Sequence, residues 1–410
     1  MQAREVTDGI FCITANIGPE VLFEGIWPLP QGASMNSYVV KGREVALIDG
    51  VCEWSEAPEA LYAQLNEIGV KLEDLRYLVI NHTEPDHTGW LKSFLKHNHK
   101  VEVLITAKGL ELAKAFFGMD VPCRVVKSGD SLDLGNGKQL VFEEIPNVHW
   151  PDTMATFETS TGTLLCCDAF GSFGSLDEAV FDDQLDETQL QDFEREALRY
   201  YANIVARFSS SVSRAIDKVG KLDVRIVAPG HGPIWRRDPQ RIIRLYERFA
   251  AYAQGPAKPQ VAVLWSSMYG NTAKVVEPLL EGIAAEGVKV VVHQIPQSHV
   301  SDILASAWES TGLVLAMPTY EYKMFPPMAT VIEELGRKTV KGKLALRVGS
   351  FGWSGGSQKE LEEIIERQKM SWSFLESVEF QGAPSAENLR LVRQRGGELA
   401  RQVKEKALKD

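Results

Sequence analysis

The segment VINHTEPDHTGW, Val79 to Trp90, places His82, Glu84, Asp86 and His87 within six residues. Two imidazoles and two carboxylates crowded together suit a multidentate metal site, for which a plain surface loop has no use. A strand-to-helix turn can aim alternate side chains at one centre, which a single helix face cannot do. The same residues would also serve a solvated polar loop, or a helix start capped by Asp86. Three further residues favour the metal. His149 in NVHWPDTM, Asp168 in LLCCDAFG and His231 in IVAPGHGPIW each follow or end an apolar run, and Pro and Trp flank both histidines, as rigid loops require. One histidine at a strand end is more often structural, but three such residues beside the six-residue cluster reverse that preference. His97 and His99, in LKHNHK, read as exposed helix-end residues.

A second constellation lies near the middle of the chain. In VAVLWSSMYGNTAKVV a strand runs into Ser266, Ser267, Met268, Tyr269, Gly270, Asn271 and Thr272 and then into a helix. Backbone N–H groups at that helix start, with the hydroxyls of Ser266, Ser267 and Thr272, can hold a phosphate dianion without a paired lysine. Two more apolar strands end in PTYEYKMFPP and SFGWSGG. They bring Pro318, Thr319 and Tyr320, and Ser350, Phe351, Gly352, Trp353, Ser354 and Gly355, to where an isoalloxazine would stack and hydrogen-bond. Either loop alone reads equally well as an ordinary strand-helix connection; the three together favour a flavin. The first loop resembles the phosphate loop of flavodoxins, whose ligand is FMN. No G-x-G-x-x-G is present, and GNGKQ, Gly135 to Gln139, departs from the Walker pattern at its last residue.

The elements that position these residues fall into two halves. At 410 residues the chain exceeds what one hydrophobic core usually holds, so two domains are expected. AQGPAKPQ gathers Gly255, Pro256 and Pro259 between a helical run and the strand starting at Val261, which sets a domain over 1–252, a linker over 253–260 and a domain over 261–410. Before the linker, FCITANI, SYVVKGREVALIDGV, LRYLVI and VEVLIT alternate with helical stretches, and MATFETSTGTLLCCD reads as a hairpin turned at Thr161-Gly162. Hairpins mixed with helices predict a sandwich of mixed sheets covered by helices. After the linker, VAVLWSS, KVVVHQI, GLVLAM, KLALRVGS and SVEFQG alternate strictly with helices, which predicts a doubly wound parallel α/β sheet of the flavodoxin kind, with its ligand at the C-terminal strand ends.

Composition excludes several classes. With a net charge of -11, 44% hydrophobic and 24% charged residues, and no basic cluster, neither nucleic acid nor an anionic membrane is an expected partner. No stretch approaches a spanning helix or a secretory leader, so a cytoplasmic protein is expected. The five cysteines include no C-x-x-C, which argues against a disulfide scaffold, a zinc ribbon or a rubredoxin-type iron site in this chain. Cys166 and Cys167 alternate along a strand and read as small core residues. Tyr200 and Tyr201 read as helix packing, with one of them open to a role as a proton donor beside the metals.

His-x-Glu-x-Asp-His followed by His149, Asp168 and His231 resembles the metallo-β-lactamase fold in its di-iron form, and with the flavodoxin-like half the whole chain is similar to the flavodiiron proteins. Zinc hydrolases of this fold usually carry His where this chain has Glu84, and seven nitrogen and oxygen donors without thiolate suit non-haem iron. The resemblance implies an N-terminal αββα sandwich holding two iron ions: His82, Glu84 and His149 on one, Asp86, His87 and His231 on the other, Asp168 between them, with His87 the residue some relatives swing away. It also implies FMN in the second domain, a head-to-tail homodimer or homotetramer in which each flavin meets the partner's irons, and rubredoxin or a rubredoxin reductase-type protein as electron donor. Two electrons on the irons and two on the flavin match reduction of dioxygen to water, and two match coupling of nitric oxide to nitrous oxide. The rival expectations are a zinc hydrolase with a regulatory flavodoxin domain and a flavodoxin-type electron carrier whose first domain is a docking module.

Overall fold

The structure, a computed structural model, describes residues 1–53, 56–118 and 123–408, and its contacts divide the chain into two units, Met1–Glu247 and Arg248–Asp410. The division falls inside the helix Pro239–Ala251.

The first unit is built on two sheets. One contains β1 (Arg4–Thr7), β2 (Ile10–Ile17), β3 (Ala33–Lys41), β4 (Val45–Ile48), β5 (Leu75–Ile80), β6 (Glu102–Ile105) and β7 (Cys123–Val125), side by side in chain order. The pairs from β1 to β4 are antiparallel and those from β4 to β7 parallel. The change occurs where helices Ala57–Glu67, Leu91–His97 and Ala107–Phe117 enter the connections, because a parallel pair needs a crossover long enough to return the chain to the same end. The second sheet runs β8 (Ser131–Gly135), β9 (Lys138–Glu144), β10 (Met154–Glu158), β11 (Thr163–Leu165) and β12 (Ile226–Ala228). Its first three pairs are antiparallel, and β12 joins β11 in parallel after the helical segment 187–219. Alternate residues of facing strands, among them Val40, Ile48, Val79 and Leu104 from one sheet and Leu134, Leu140, Phe142 and Leu165 from the other, form one buried cluster. The layers are therefore those expected of an αββα sandwich.

The β10–β11 hairpin differs from expectation: its connection takes four residues, 159–162, with the Glu158 carboxylate accepting from the backbone and hydroxyl groups of Ser160 and Thr161. Gly162 closes it at φ 70°, where a Cβ would meet the Asp223 carbonyl at 2.6 Å. Cys166 and Cys167 lie beyond the end of β11, with Cys167 at positive φ.

In the second unit β13 (Lys258–Trp265), β14 (Lys289–Gln294), β15 (Ser310–Tyr320), β16 (Leu344–Phe351) and β17 (Val378–Gln381) are parallel and lie in the order β14-β13-β15-β16-β17. That is the flavodoxin-type order, with the switch point between β13 and β15. β13 starts at Lys258, paired with Ser310, so residues 258–260 of the expected linker belong to the sheet. The fifth position is interrupted: Ser373–Phe374 pairs with the start of β16 and β17 with its end. Among the described residues no helix is long and apolar enough to cross a membrane.

Lys343, immediately before β16, is buried, and its ammonium donates to the carbonyls of Trp308 (2.9 Å) and Ser310 (2.7 Å) at the C-terminal end of helix Val300–Glu309. Burial lowers its pKa to about 7, against an opposing pull from Glu309. The unfolded chain holds this proton up to the ordinary lysine range, so between about pH 7 and 10 stability should rise with pH. One such group contributes about 1.4 kcal/mol per pH unit. Lys343→Met should flatten that part of the urea-unfolding pH profile; an unchanged slope would show that Lys343 stays charged in the fold.

Candidate metal centre and flavin pocket

β5 ends at Ile80, residues 81–84 form no regular element, and a single helical turn starts at Pro85. His82 and Glu84, two residues apart, meet at one point, and Asp86 and His87 of the turn meet at a neighbouring one. His149 comes from the loop after β9, Asp168 lies three residues beyond β11, and His231 three residues beyond β12. All seven side chains are buried and fall into two groups: His82, Glu84, His149 and Asp168, and Asp86, His87, Asp168 and His231, with donor atoms within 4.8 Å of one another in each group.

Asp168 belongs to both. Its Oδ2 lies 3.2 Å from His82 Nε2 and 3.3 Å from His149 Nε2, while its Oδ1 lies 2.9 Å from His87 Nε2 and 3.1 Å from His231 Nε2. Glu84 Oε2 lies 3.1 Å from His82 and 2.9 Å from His149, and Asp86 Oδ2 3.5 Å from His87 and 3.3 Å from His231. Two donors at roughly 2.1 Å from one ion and at right angles to each other lie about 3.0 Å apart, so these separations would fit two coordination shells that share a carboxylate. Both Asp86 oxygens, Asp168 Oδ2 and His231 Nε2 are buried without hydrogen-bond partners, which a cation at each point would satisfy. His87 stands with its group here and is not turned away.

Electrostatics agree with this arrangement. Burial opposes ionisation of Glu84, yet His149 and His82 bring its carboxyl down to about 2, and the surrounding histidines hold Asp168 well below the usual range against the same burial cost. Burial likewise opposes protonation of the imidazoles, but the carboxylates raise His149 to about 9 and His231 to about 10. The site is therefore an anionic pocket that demands positive charge, as protons on the rings or as metal in their place.

The neighbours that aim the ligands are only partly visible in the sequence. On β3 the residues Ser34, Asn36 and Tyr38 alternate onto one face. The Ser34 carbonyl accepts from His231 Nδ1 at 2.7 Å, Asn36 Nδ2 donates to the carbonyls of Pro229 and Gly232, and the Tyr38 hydroxyl donates to that of Pro229. Asp152 Oδ1 lies 3.4 Å from His82 Nδ1, and its other oxygen accepts from the backbone and hydroxyl of Thr83. Asp49 accepts from the backbone and side-chain amides of Asn81, the residue before His82. The available signal was polar residues inside apolar strand patterns, as in SMNSY, and at strand ends, as in LIDG. Tyr200 is buried with its ring 5.7 Å from that of His231 and its hydroxyl without a partner, whereas the Tyr201 hydroxyl donates to Ser209. Burial keeps the thiols of Cys166 and Cys167 protonated, so neither is a thiolate. His97 ends its helix, and both it and His99 are exposed. A cavity of about 390 Å³ is lined by Val21 to Gly25 and by Glu84, Pro85 and Asp86.

In the second unit a cavity of about 330 Å³ lies at the C-terminal ends of β13, β15 and β16, within the range of small-molecule sites. Of the residues expected there, Ser267, Met268, Tyr269, Asn271, Thr272, Pro318, Thr319, Tyr320, Ser350, Phe351, Gly352 and Trp353 line it. Ser266, Gly270, Ser354 and Gly355 are not among the lining residues, while Glu321 and Gly382, which the motifs did not single out, are. The Ser266 hydroxyl is buried and unpartnered, and the Thr272 and Ser350 hydroxyls lie 2.8 Å apart, tying the first loop to the third. Tyr269 is 93% exposed and Trp353 73%, a large aromatic surface for a monomer to leave uncovered.

Comparison with known proteins places these features among relatives. A family model described as ODP family beta lactamase matches residues 33–232. The chain is 32% identical over 408 residues to a nitric oxide reductase of Moorella thermoacetica, covering 98% of this chain and 99% of that one. Among solved structures, the rubredoxin oxygen:oxidoreductase of Desulfovibrio gigas superposes with a TM-score of 0.90 at 26% identity, covering 99% of each chain. A flavo di-iron protein variant from Thermotoga maritima gives 0.87 at 28% identity over 98% of each chain.

If Asp168 holds both ions, Asp168→Ala should lose more than half of the metal bound per chain after equal loading, while exposed His97→Ala retains the wild-type content. Asp152→Asn should weaken retention roughly 10–100-fold, the usual cost of losing a partner that orients a ligand, measured by chelator competition. Wild-type content in Asp168→Ala would rule out the shared carboxylate.

Proposed function

The chain belongs to the flavodiiron protein family, and we propose that it is a cytoplasmic oxidoreductase that reduces dioxygen to water, nitric oxide to nitrous oxide, or both. In this reading His82, Glu84 and His149 hold one iron, Asp86, His87 and His231 the other, and Asp168 joins them. The observation that carries it is the Asp168 carboxylate, which turns one oxygen to each histidine pair. Three carboxylates and four imidazoles without thiolate suit iron that cycles between ferrous and ferric states.

FMN belongs in the cavity between the loops 267–272, 318–321 and 350–353, with its phosphate toward the hydroxyls and backbone N–H groups of the first loop. When bound, the two irons and the flavin supply up to four electrons, enough to take one dioxygen to water without releasing partly reduced oxygen.

The protein's own part is to position, admit and exclude. The Ser34 carbonyl holds the proton on His231 Nδ1, leaving Nε2 free for metal, and Asp152 faces His82 Nδ1 in the same sense. The cavity beside Glu84 and Asp86 is wide enough to admit a diatomic gas and release its products, and Phe23, which lines it, packs edge-on to His231 at 5.4 Å. Electrons come from rubredoxin or a rubredoxin reductase-type protein. The exposed aromatics at the flavin pocket fit a head-to-tail homodimer, or a tetramer of such dimers, in which each chain's flavin serves the partner's irons.

Iron, zinc and flavin should be quantified on protein made in iron-replete medium without chelators. About two irons and one FMN per chain are expected, followed by turnover with reduced rubredoxin of dioxygen or, in its absence, of nitric oxide. Zinc in place of iron, reproducibly and without gas consumption, would replace the reductase with a hydrolase.

A further inference from the structure

Arg347 is a buried guanidinium in the middle of β16, 1% exposed, in a strand that is otherwise apolar up to Gly349. Its Nη2 donates to Ser357 Oγ at 2.8 Å and to Glu379 Oε1 at 2.6 Å, and its Nε has no hydrogen-bond partner. Burying a cation this far is costly, and one half-shielded carboxylate with a hydroxyl compensates only in part, so some function other than stability should keep it there.

Its neighbours point to the flavin cavity. Ser357, the first residue of helix Ser357–Arg367, also accepts at 3.3 Å from the hydroxyl of Thr319, which lines the cavity. The guanidinium lies so close to the backbone that a Cβ on Gly349 would sit 2.9 Å from Nη2, and Gly349 precedes the lining residues Ser350 to Trp353. Glu379, opposite Gly349 on β17, has its Oε1 3.2 Å from where a Cβ of Gly355 would be, under the end of the same loop. One cation is thus linked through Ser357 to Thr319 and through Glu379 to β17, and its charge lies against the backbone of Gly349, which leads into the loop after β16.

Building on the FMN reading above, we propose that Arg347 is a positioning residue for the flavin, which fixes the two loops through Ser357 and favours the reduced, anionic flavin by its charge, with Glu379 as the moderating counter-charge. A positive charge in a site of low dielectric stabilises the anion formed when flavin accepts two electrons, and a negative one opposes it. The two members of the pair therefore act with opposite sign, which loop damage alone cannot imitate.

The test uses the full-length, metal-loaded protein, with FMN removed and restored, in the variants Arg347→Met, Arg347→Lys and Glu379→Gln. It reads the dissociation constant of oxidised FMN by fluorescence and the two-electron midpoint potential by dye equilibration. Arg347→Met should bind FMN at least tenfold more weakly and shift preference toward oxidised flavin at least tenfold, about 30 mV more negative for a two-electron couple. Arg347→Lys should return both values to within threefold of wild type, and Glu379→Gln should shift the potential the other way. Wild-type affinity and potential in Arg347→Met, or shifts of the same sign in Arg347→Met and Glu379→Gln, would overturn the proposal. If Arg347→Met does not fold, the sign of the shift in Glu379→Gln decides alone. Failure of the wild-type protein to bind FMN at all would sink the cofactor reading itself, a result separate from any difference among the variants.

Discussion

Three carboxylates share one buried volume with four imidazoles, and the first unit is organised around that constraint. Anions taken out of water are tolerated only where opposite charge and directed hydrogen bonds replace the solvent. Asp168 bears the largest share, since both of its oxygens face imidazole nitrogens and no backbone donor relieves Oδ2. A site with that appetite for cations must be held rigidly, or the carboxylates would swing out to water. The strand ends provide the rigidity: each ligand segment leaves a sheet whose hydrogen bonds have already fixed its direction.

The aiming of the rings follows from the same sheets. β3 contributes no ligand, yet its polar face grips the 229–232 loop through carbonyls, so His231 can present only one nitrogen to the centre. Asp152 and Asp49 do comparable work around His82, one from its own loop and one from the adjacent strand end. Such partners set ring orientation and tautomer, and through them the precision of the site.

The second unit meets a different demand with a related device. A parallel sheet converges its strand ends on one edge, and there the backbone N–H groups, hydroxyls and aromatic rings of three loops make a cavity instead of a charge cluster. Arg347, a deeply buried cation, is not among the residues that line that cavity. In both units the candidate site lies at strand ends, and the residues packed around it set its geometry.

Much of this was legible without coordinates. Histidines and carboxylates at the ends of apolar runs are costly to place at random, and the seven residues singled out on that ground are the ones the fold gathers into two buried groups. Strict strand–helix alternation predicted the parallel sheet because each step of that topology is local. Tertiary structure decided what depends on distant contacts: that Asp168 divides its two oxygens between the groups, that Lys258 to Gln260 join the sheet by pairing near Ser310, that Cys166 and Cys167 fall outside their strand, and that Arg347 is buried against Glu379. Residue type and spacing report what a segment can offer, since those follow from covalent chemistry and local periodicity. Which partner meets it depends on packing between segments tens to hundreds of residues apart, and no local pattern encodes that.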